Sequence, residues 1–265
     1  MNLTNVDVIA LQSYNKINIM RRYPISFFFS SILAGVYISF GVILSNTIAF
    51  YSKTSFYSRF LAAFSFPFAL TLIVIAGADL FTGNLLNMFL AYFTKKVKIN
   101  YIAVYLTCNW LFNFFGVFII SYCFKACGFN LELYDFFTSI VLSKMSIPMV
   151  NVFFRSILCN MLVCLAIWAS NKCKNETAKL IMIFLCVFTF VFLGFEHSIA
   201  SMALLAITGI LEMFPFIVVS TFGNILGAFL GVALPYFFIE KNEVFQYKKT
   251  YFRRKRGYYL RKQNQ

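Results

Sequence analysis

The chain has very little charge. Only 12% of its 265 residues are Asp, Glu, Lys or Arg, whereas 61% are hydrophobic, and the mean hydropathy is +0.78. A soluble domain of this size cannot bury so much apolar surface. The composition therefore excludes a soluble globular protein and indicates an integral membrane protein.

The chain also lacks the patterns of metal sites and enzymes. It has one histidine, and its seven cysteines are scattered without a Cys-x-x-Cys or His/Cys pattern, so we expect no metal and no cofactor. Gly-x-Ser-x-Gly, His-Glu-x-x-His and paired aspartates are absent, which argues against an intramembrane enzyme and leaves no catalytic residue to assign. The two Asn-Pro-Ala turns of a water or glycerol channel are missing too. A purely structural membrane subunit would explain the apolar segments but not the polar clusters within them.

Long stretches between charges predict six membrane crossings. Each crossing needs about 20 mostly apolar residues. The stretches are 25–52, 61–78 with 80–94, 99–124, 145–171 (interrupted only by Arg155), 180–195 with 198–211, and 213–239. They are continuous rather than alternating in polarity, which favours helices over a β-barrel. The sequence predicts an all-α membrane protein of six transmembrane helices.

Two of these crossings contain short polar clusters. Residues 77–84 read Gly-Ala-Asp-Leu-Phe-Thr-Gly-Asn, and residues 194–201 read Gly-Phe-Glu-His-Ser-Ile-Ala-Ser. Polar groups at bilayer depth are costly and usually mark a substrate path. Interrupted segments at matching places in two halves indicate a transporter site. We therefore expect a 3+3 inverted repeat with the second and fifth helices broken near their middle. The halves show no convincing residue-level identity.

Basic residues predict the orientation and the division of the chain. One side would carry the basic residues of the N-terminal segment, those after the second and fourth crossings, and nine in the C-terminal tail; the other side has only Lys53, Arg59, Lys125 and Lys144. Because the basic side is normally cytoplasmic, both termini are expected there. We divide the chain into a cytoplasmic N-terminal segment (1–24), a six-helix pore domain (25–240) and a basic cytoplasmic tail (241–265). The tail is expected to touch anionic lipid headgroups rather than nucleic acid.

The N-terminal segment has a loose apolar pattern. Val8, Ile9, Leu11, Ile17 and Met20 could form the apolar side of an interfacial helix. Whether this segment gates the pore stays open.

Several motifs carry a family resemblance. The strongest are Ser-Ile-Leu-Cys-Asn-Met-Leu-Val-Cys-Leu-Ala-Ile-Trp at 156–168 and Gly-Phe-Glu-His-Ser-Ile-Ala-Ser-Met at 194–202, with support at 31–37, 78–84 and 221–224. With these motifs the chain resembles the formate/nitrite transporter family of bacterial inner membranes. The resemblance implies an aquaporin-like protomer, a homopentamer with one pore per protomer, and movement of small monovalent anions, with proton coupling under some conditions.

His197 is the first candidate site residue. It is the only histidine, lies beside Glu196 in a break, and matches the family's histidine at the pore centre. Because imidazole changes charge near physiological pH, it can attract an anion or hand it a proton. Thr82 lies at the other break, where its hydroxyl can bridge His197 and a passing anion.

The resemblance assigns the other site residues. Lys144 aligns with the vestibule lysine that draws anions in, and Asn160 and Glu196 match polar residues that support the network. Ser201 stands where the family usually has asparagine. One apolar constriction aligns with Leu70 and Leu80, and the other with Phe66, Phe81 and Phe190. Since an apolar slit opposes a bare anion, a transiently protonated weak acid would cross more easily, with His197 as the proton source.

The substrate is the least determined expectation. Nitrite leads, because the turn of Thr82, Gly83 and Asn84 is closer to the nitrite branch of the family. Formate follows, and hydrosulfide and lactate stay open, as do the direction of flux and the choice between channel and coupled carrier. Arg155 meets headgroups or pairs with Asp79 or Glu212, and the sequence does not choose.

Overall fold

Most of the described residues lie in helices. The computed structural model describes residues 4–52 and 55–241, so Lys53 and the predicted tail after Lys241 lie outside the described residues. Within these ranges there is no strand, which confirms the all-α prediction. The helices are α1 (Asn5–Arg22), α2 (Pro24–Ser52), α3 (Ser55–Ser65), α4 (Pro67–Ala76), α5 (Phe81–Phe93), α6 (Ile99–Ala126), α7 (Leu131–Met145), α8 (Met149–Lys172), α9 (Glu176–Phe192), α10 (Ser198–Thr208) and α11 (Phe214–Ala228).

Six crossings follow from these helices. In the described ranges five segments are long and apolar enough to span a membrane: Pro24–Ser52, Tyr57–Ala76, Ile99–Ala126, Met149–Lys172 and Leu211–Lys241. The first, third and fourth crossings are the unbroken helices α2, α6 and α8. The sixth crossing is the segment that contains α11. The second is α3, α4 and α5, and the fifth is α9 and α10. The helix α7 connects the halves.

The breaks lie near the middle of their crossings, as predicted, and slightly towards the C-terminal end of each. In the second crossing, helices of 11 and 10 residues precede the break and one of 13 follows it. In the fifth, 17 helical residues precede and 11 follow. Each break opens with a glycine in the left-handed region, Gly77 at φ 75° and Gly194 at φ 70°. Glycine takes this conformation without a Cβ clash, so it ends the preceding helix at little cost.

The two halves repeat the same helix packing. The first helix of each half packs along the third, α2 on α6 and α8 on α11. A Cβ added to Gly116 of α6 would overlap the carbonyl oxygen of Ile32, and one added to Gly227 of α11 would overlap that of Ile157. Both helix pairs therefore approach closely because a glycine faces a main-chain carbonyl.

An asparagine ties the first break to its neighbouring helices. Asn113 of α6 donates from Nδ2 to the carbonyl oxygens of Ser31 (2.7 Å) and Asp79 (2.9 Å). Its Oδ1 accepts from the Phe81 N–H at 2.9 Å. The freed backbone groups of the break, which cannot face lipid, thus find partners inside the protein.

Asn224 of α11 does the same for the second break. Its Nδ2 donates to the carbonyl oxygens of Ser156 (2.8 Å) and Glu196 (3.0 Å), and its Oδ1 accepts from the Ser198 N–H (2.9 Å). The three bonds of Asn113 recur here on corresponding residues. The inverted repeat is therefore present at the level of single residues, a correspondence that inspection of the sequence did not find.

The N-terminal helix packs against the body of the protein. Its buried residues are Val6, Ile9, Ala10, Ser13 and Ile17, whereas Leu11 is exposed. Ser13 donates to the Asn87 carbonyl of α5 at 2.7 Å, and the Val6 N–H donates to Glu240 Oε2 at 2.8 Å. Of the expected apolar side, Ile9 and Ile17 are buried against the protein and Leu11 is exposed, and an interfacial position of α1 stays a prediction.

Candidate functional site

His197 makes two hydrogen bonds, and together they define which ring nitrogen carries the hydrogen. It caps the N-terminus of α10, where its Nδ1 accepts from the Ala200 N–H at 3.2 Å. Its Nε2 lies 2.8 Å from Thr82 Oγ1. Because a backbone N–H can only donate, Nδ1 carries no hydrogen and the neutral ring must carry it on Nε2. His197 therefore donates to Thr82.

Thr82 joins the two breaks. It lies in the first turn of α5, fully buried, 115 residues from His197 in sequence. Because its oxygen accepts from His197, its own hydroxyl hydrogen is available to another acceptor. The expected contact between the breaks thus exists, and it leaves one donor at the point where they meet.

Asn160 supports Thr82 from α8. Its Nδ2 donates to the carbonyl oxygens of Thr82 (3.3 Å) and Asn224 (2.8 Å). Its Oδ1 is buried and finds no hydrogen-bond donor in the part of the chain that is described. A buried acceptor without a partner is costly and commonly marks a place where water or a ligand supplies the missing donor.

Glu196 and Lys144 form an ion pair beside His197. Lys144 Nζ lies 2.6 Å from Glu196 Oε2, and the carboxylate is only 2% exposed. Lys144 lies in the last turn of α7, so this helix places a cation next to the second break. Glu196 is the buried partner of this pair. Removing the lysine would therefore leave a buried carboxylate without a compensating charge.

A cavity of about 580 Å³ leads to these residues. We call it the Lys144 cavity. Its walls carry Arg59, Lys144 and Arg155, and Phe66, Phe190 and His197 line it as well. Ser201 also lines it, whereas Thr82 and Asn160 do not. The cavity is thus cationic, and the imidazole that it reaches is 4% exposed.

The predicted constriction residues are all buried, but only two of the three phenylalanines meet. The Phe66 and Phe190 rings lie 5.9 Å apart edge to face, and Phe190 stacks on His197 at 6.1 Å. Among the described aromatic contacts Phe81 pairs with no ring. Leu70, Leu80 and Phe81 belong to the buried core and do not line the Lys144 cavity.

A second polar cluster surrounds Asp79, and the sequence reasoning did not assign it. Lys16 Nζ lies 2.5 Å from Asp79 Oδ1, Tyr105 Oη donates to the same oxygen at 3.0 Å, and Ser30 Oγ donates to Oδ2 at 2.8 Å. Asn84 Nδ2 donates to Oδ1 at 3.2 Å. A sequence signal existed: Asp79 and Glu196 each lie two residues after the glycine that opens a break.

The two clusters lie at opposite ends of α2. Ser30, near the start of this helix, contacts Asp79, whereas Asn46, near its end, lines the Lys144 cavity. The 16 residues between them span about 24 Å of helix. The acids of the two breaks therefore face different ends of the bundle.

Arg155 and Arg59 line the Lys144 cavity, although the sequence reasoning did not name them as site residues. Over residues 4–52 and 55–241 Arg155 forms no ion pair with Asp79 or Glu212; it lines the Lys144 cavity instead. Its position could have been suspected, because it is the one charge inside a long apolar segment. Arg59 precedes the second crossing's apolar run and carried no such signal.

Known proteins resemble this chain over most of its length. The formate/nitrite transporter family profile matches residues 7–238. The nitrite transporter NirC of Escherichia coli K12 is 38% identical over 191 residues, which are 70% of this chain and 69% of NirC. A solved structure described as an FNT family ion channel is 27% identical, covers 89% of this chain and 98% of its own, and has a TM-score of 0.83. A pentameric formate channel with formate bound is 24% identical, covers 83% and 98%, and has a TM-score of 0.73.

Proposed function

The chain belongs to the formate/nitrite transporter family, and from this premise we propose that it carries small monovalent anions, nitrite first among them, through a pore centred on His197. The family consists of channels and transporters, not enzymes. The observation that carries the proposal is the hydrogen bond between His197 Nε2 and Thr82 Oγ1, which joins the two breaks beside a cationic cavity.

The geometry suggests what each group does during passage. Arg59, Lys144 and Arg155 make the cavity attractive to an anion, and the Phe66–Phe190 pair opposes entry of a charged, hydrated one. The free hydroxyl hydrogen of Thr82 supplies a donor to the anion at the centre. Leu70 and Leu80 would form the other constriction, Phe81 would belong to the constriction of Phe66 and Phe190, and Asn160 and Ser201 would support the centre.

Protons are expected to accompany the anion. Nitrite and formate are the bases of weak acids, and the neutral acid crosses an apolar constriction at lower cost. In the described state His197 is neutral, so giving up its Nε2 proton would leave an imidazolate. The ring can deliver a proton only after Nδ1 takes one up and releases the Ala200 N–H. We expect uptake to rise as the pH on the Lys144 side falls.

The substrate assignment rests on similarity. Nitrite is favoured because the NirC protein, 38% identical, is named a nitrite transporter. Formate is the second candidate because the family includes formate carriers and one similar fold is a formate channel. Hydrosulfide and lactate are weaker candidates.

We further propose the setting of the pore. The protein would lie in a bacterial inner membrane as a homopentamer, with both termini and the Asp79 cluster cytoplasmic and the Lys144 cavity outside. The basic residues on the α1 side and the fold shared with a pentameric channel support this arrangement. The tail of 241–265 would touch anionic lipid.

Uptake into liposomes tests the proposal. Purified protein is reconstituted, and entry of nitrite, formate and hydrosulfide is compared at one pH gradient, with protein-free liposomes correcting for passive permeation of the neutral acids. We expect saturable entry, highest for nitrite. Entry no faster than in protein-free liposomes for all three anions would refute the proposal, and osmotic swelling without anion entry would indicate a water or glycerol channel.

The proton role needs a separate measurement. His197→Asn keeps a side chain that can cap α10 and donate a hydrogen bond but cannot titrate. We expect its nitrite uptake to lose the wild-type dependence on pH between 5 and 8. Identical pH profiles for wild type and variant would remove His197 from proton coupling.

A further inference from the structure

The Lys144 cavity has more positive charge than the lysine supplies. Three cations and one acid, Glu196, line it. Lys144 is bound to that acid at 2.6 Å, so the charges of this pair largely cancel. The excess therefore comes from Arg59 and Arg155.

Neither arginine has an acidic partner in the described ranges. The Arg59 guanidinium lies over the Phe192 ring at 5.9 Å, and its Nη2 is 3.0 Å from where a Cβ on Gly194 would sit. Arg155 is held through its main chain, because its carbonyl oxygen accepts from the Glu196 N–H at 3.4 Å. Both arginines are thus tied to the 194–196 break, one by packing and one by a hydrogen bond.

We propose that Arg59 and Arg155 form an anion-binding site in the Lys144 cavity that prefers planar anions with two or more oxygens. This inference rests on the proposed function and names the residues that select the substrate before it reaches His197. A guanidinium group donates two parallel hydrogen bonds to a planar oxyanion. Nitrite and formate match this fork, whereas hydrosulfide, with one acceptor atom, does not.

The glycine that opens the second break leaves space for this site. Glycine at 194 leaves room for the Arg59 guanidinium, since any side chain there would meet it. Ser45, Ser139 and Ser143 line the same cavity without adding negative charge. The hydroxyls of Ser45 and Ser139 donate to the main-chain carbonyls of Val42 and Phe136, so the two guanidinium groups are left as the charged donors. The site is therefore cationic and shares one cavity with the Phe66–Phe190 pair and His197.

Transport kinetics test the site in right-side-out and inverted membrane vesicles. Arg59→Gln and Arg155→Gln are compared with Arg155→Lys, which keeps the charge but loses the fork. Arg22→Gln is the matched control, an exposed arginine at the C-terminal end of α1, outside the Lys144 cavity. Because a charge-assisted bidentate contact is removed, we expect each glutamine variant to raise the nitrite KM about five- to tenfold at unchanged maximal rate. The effect should appear only in vesicles that present the Lys144 cavity to the added anion.

The lysine variant separates a binding site from general attraction. We expect Arg155→Lys to raise the KM for nitrite but not for hydrosulfide. Equal KM values for wild type and both glutamine variants would overturn the proposal. Wild-type kinetics in Arg155→Lys for both anions would overturn it too, because charge alone would then be sufficient.

A binding measurement keeps this inference distinct from the proposed function. Phenylglyoxal labels accessible arginines, and mass spectrometry of the purified full chain reports each position. We expect nitrite or formate, but not chloride at equal concentration, to slow labelling of Arg59 and Arg155 and to leave Arg22 unchanged. Protection in a protein that transports neither anion would support the site and refute the transport function. No protection in a protein that does transport nitrite would refute the site alone.

Discussion

The break at Gly77 and the break at Gly194 are built alike. Each begins with a left-handed glycine, continues to a buried acid two residues later, and pairs that acid with a lysine from a helix outside the six crossings. Each is tied down by three hydrogen bonds from one asparagine, Asn113 or Asn224. One backbone scaffold is therefore used twice, in inverted orientation.

The breaks differ in what the scaffold carries. The residue after the acid is Leu80 in the first break and His197 in the second. Asp79 is enclosed by hydroxyl and amide donors, whereas Glu196 has one side-chain partner and faces an open cavity with two further arginines. The backbone scaffold is shared between the halves, whereas the histidine occurs only in the second break.

The two lysines should differ most in their importance to stability. Lys144→Met leaves Glu196 buried without a side-chain partner, so we expect it to cost about 3–5 kcal/mol of unfolding free energy. Lys16→Met leaves Asp79 with Ser30, Tyr105 and Asn84, so about 1–2 kcal/mol should be lost. Thermal unfolding in detergent measures both. Adding Glu196→Gln should restore much of the Lys144→Met loss, and equal losses for the two lysines would contradict the comparison.

The two asparagines should matter equally. Asn113→Ala and Asn224→Ala each remove three hydrogen bonds and leave main-chain groups of a break unpaired. Each should therefore lower the unfolding free energy by about 2–3 kcal/mol. Chemical unfolding of the two variants under matched conditions checks this. A large loss at one asparagine and none at the other would show that the two residues, although structurally equivalent, do not contribute equally to stability.

Thr82 should matter to transport and its counterpart should not. Thr82→Val removes the hydroxyl at constant shape, and losing one donor to the anion should slow nitrite uptake about tenfold. Ile199 stands three residues after Glu196, as Thr82 does after Asp79. Its conservative variant Ile199→Val is the control and should leave uptake unchanged. Wild-type uptake in Thr82→Val would separate the hydroxyl from the pathway.

The two glycines should give the smallest effects, in a definite order. Gly77→Ala meets no atom within 4 Å and costs only its left-handed backbone, about 1 kcal/mol. Gly194→Ala carries the same backbone cost and also meets Arg59 Nη2 at 3.0 Å. It should therefore cost slightly more and raise the nitrite KM by displacing Arg59. Melting temperatures and nitrite KM values of the two variants test this order. A larger KM change in Gly77→Ala than in Gly194→Ala would contradict it.

The fold was predictable from the sequence because the length of an apolar stretch, and a polar cluster that interrupts it, are local features of the sequence. The charge-free stretches predicted the crossings, and the clusters at Gly77 and Gly194 predicted where two of them break. The breaks lie near the middle of their crossings, as predicted, because the polar clusters that interrupt an apolar stretch are visible in the sequence. The residue-level repeat was missed since Asn113 and Asn224 act on main-chain groups of other helices.

The site was predictable only in part. The contact of His197 with Thr82 was predicted, and the structure forms it. The resemblance named Lys144 and Glu196 as site residues but did not predict that they pair, which only the structure shows. The placement of Arg59 and Arg155 in one cavity could not be predicted, because helices far apart in sequence bring them there. Hydropathy likewise left Arg155 with three possible environments, and only packing places it in the cavity.

Substituting the residue that follows the acid in each break, Leu80 or His197, tests the central claim most directly. Nitrite uptake into liposomes is measured for wild type, His197→Leu and Leu80→His at one pH gradient, with each variant verified as folded. Losing the imidazole donor at the centre should reduce uptake by about two orders of magnitude in His197→Leu. Leu80→His should stay within severalfold of wild type. Uptake by His197→Leu equal to that of wild type would contradict a pore centred on this ring.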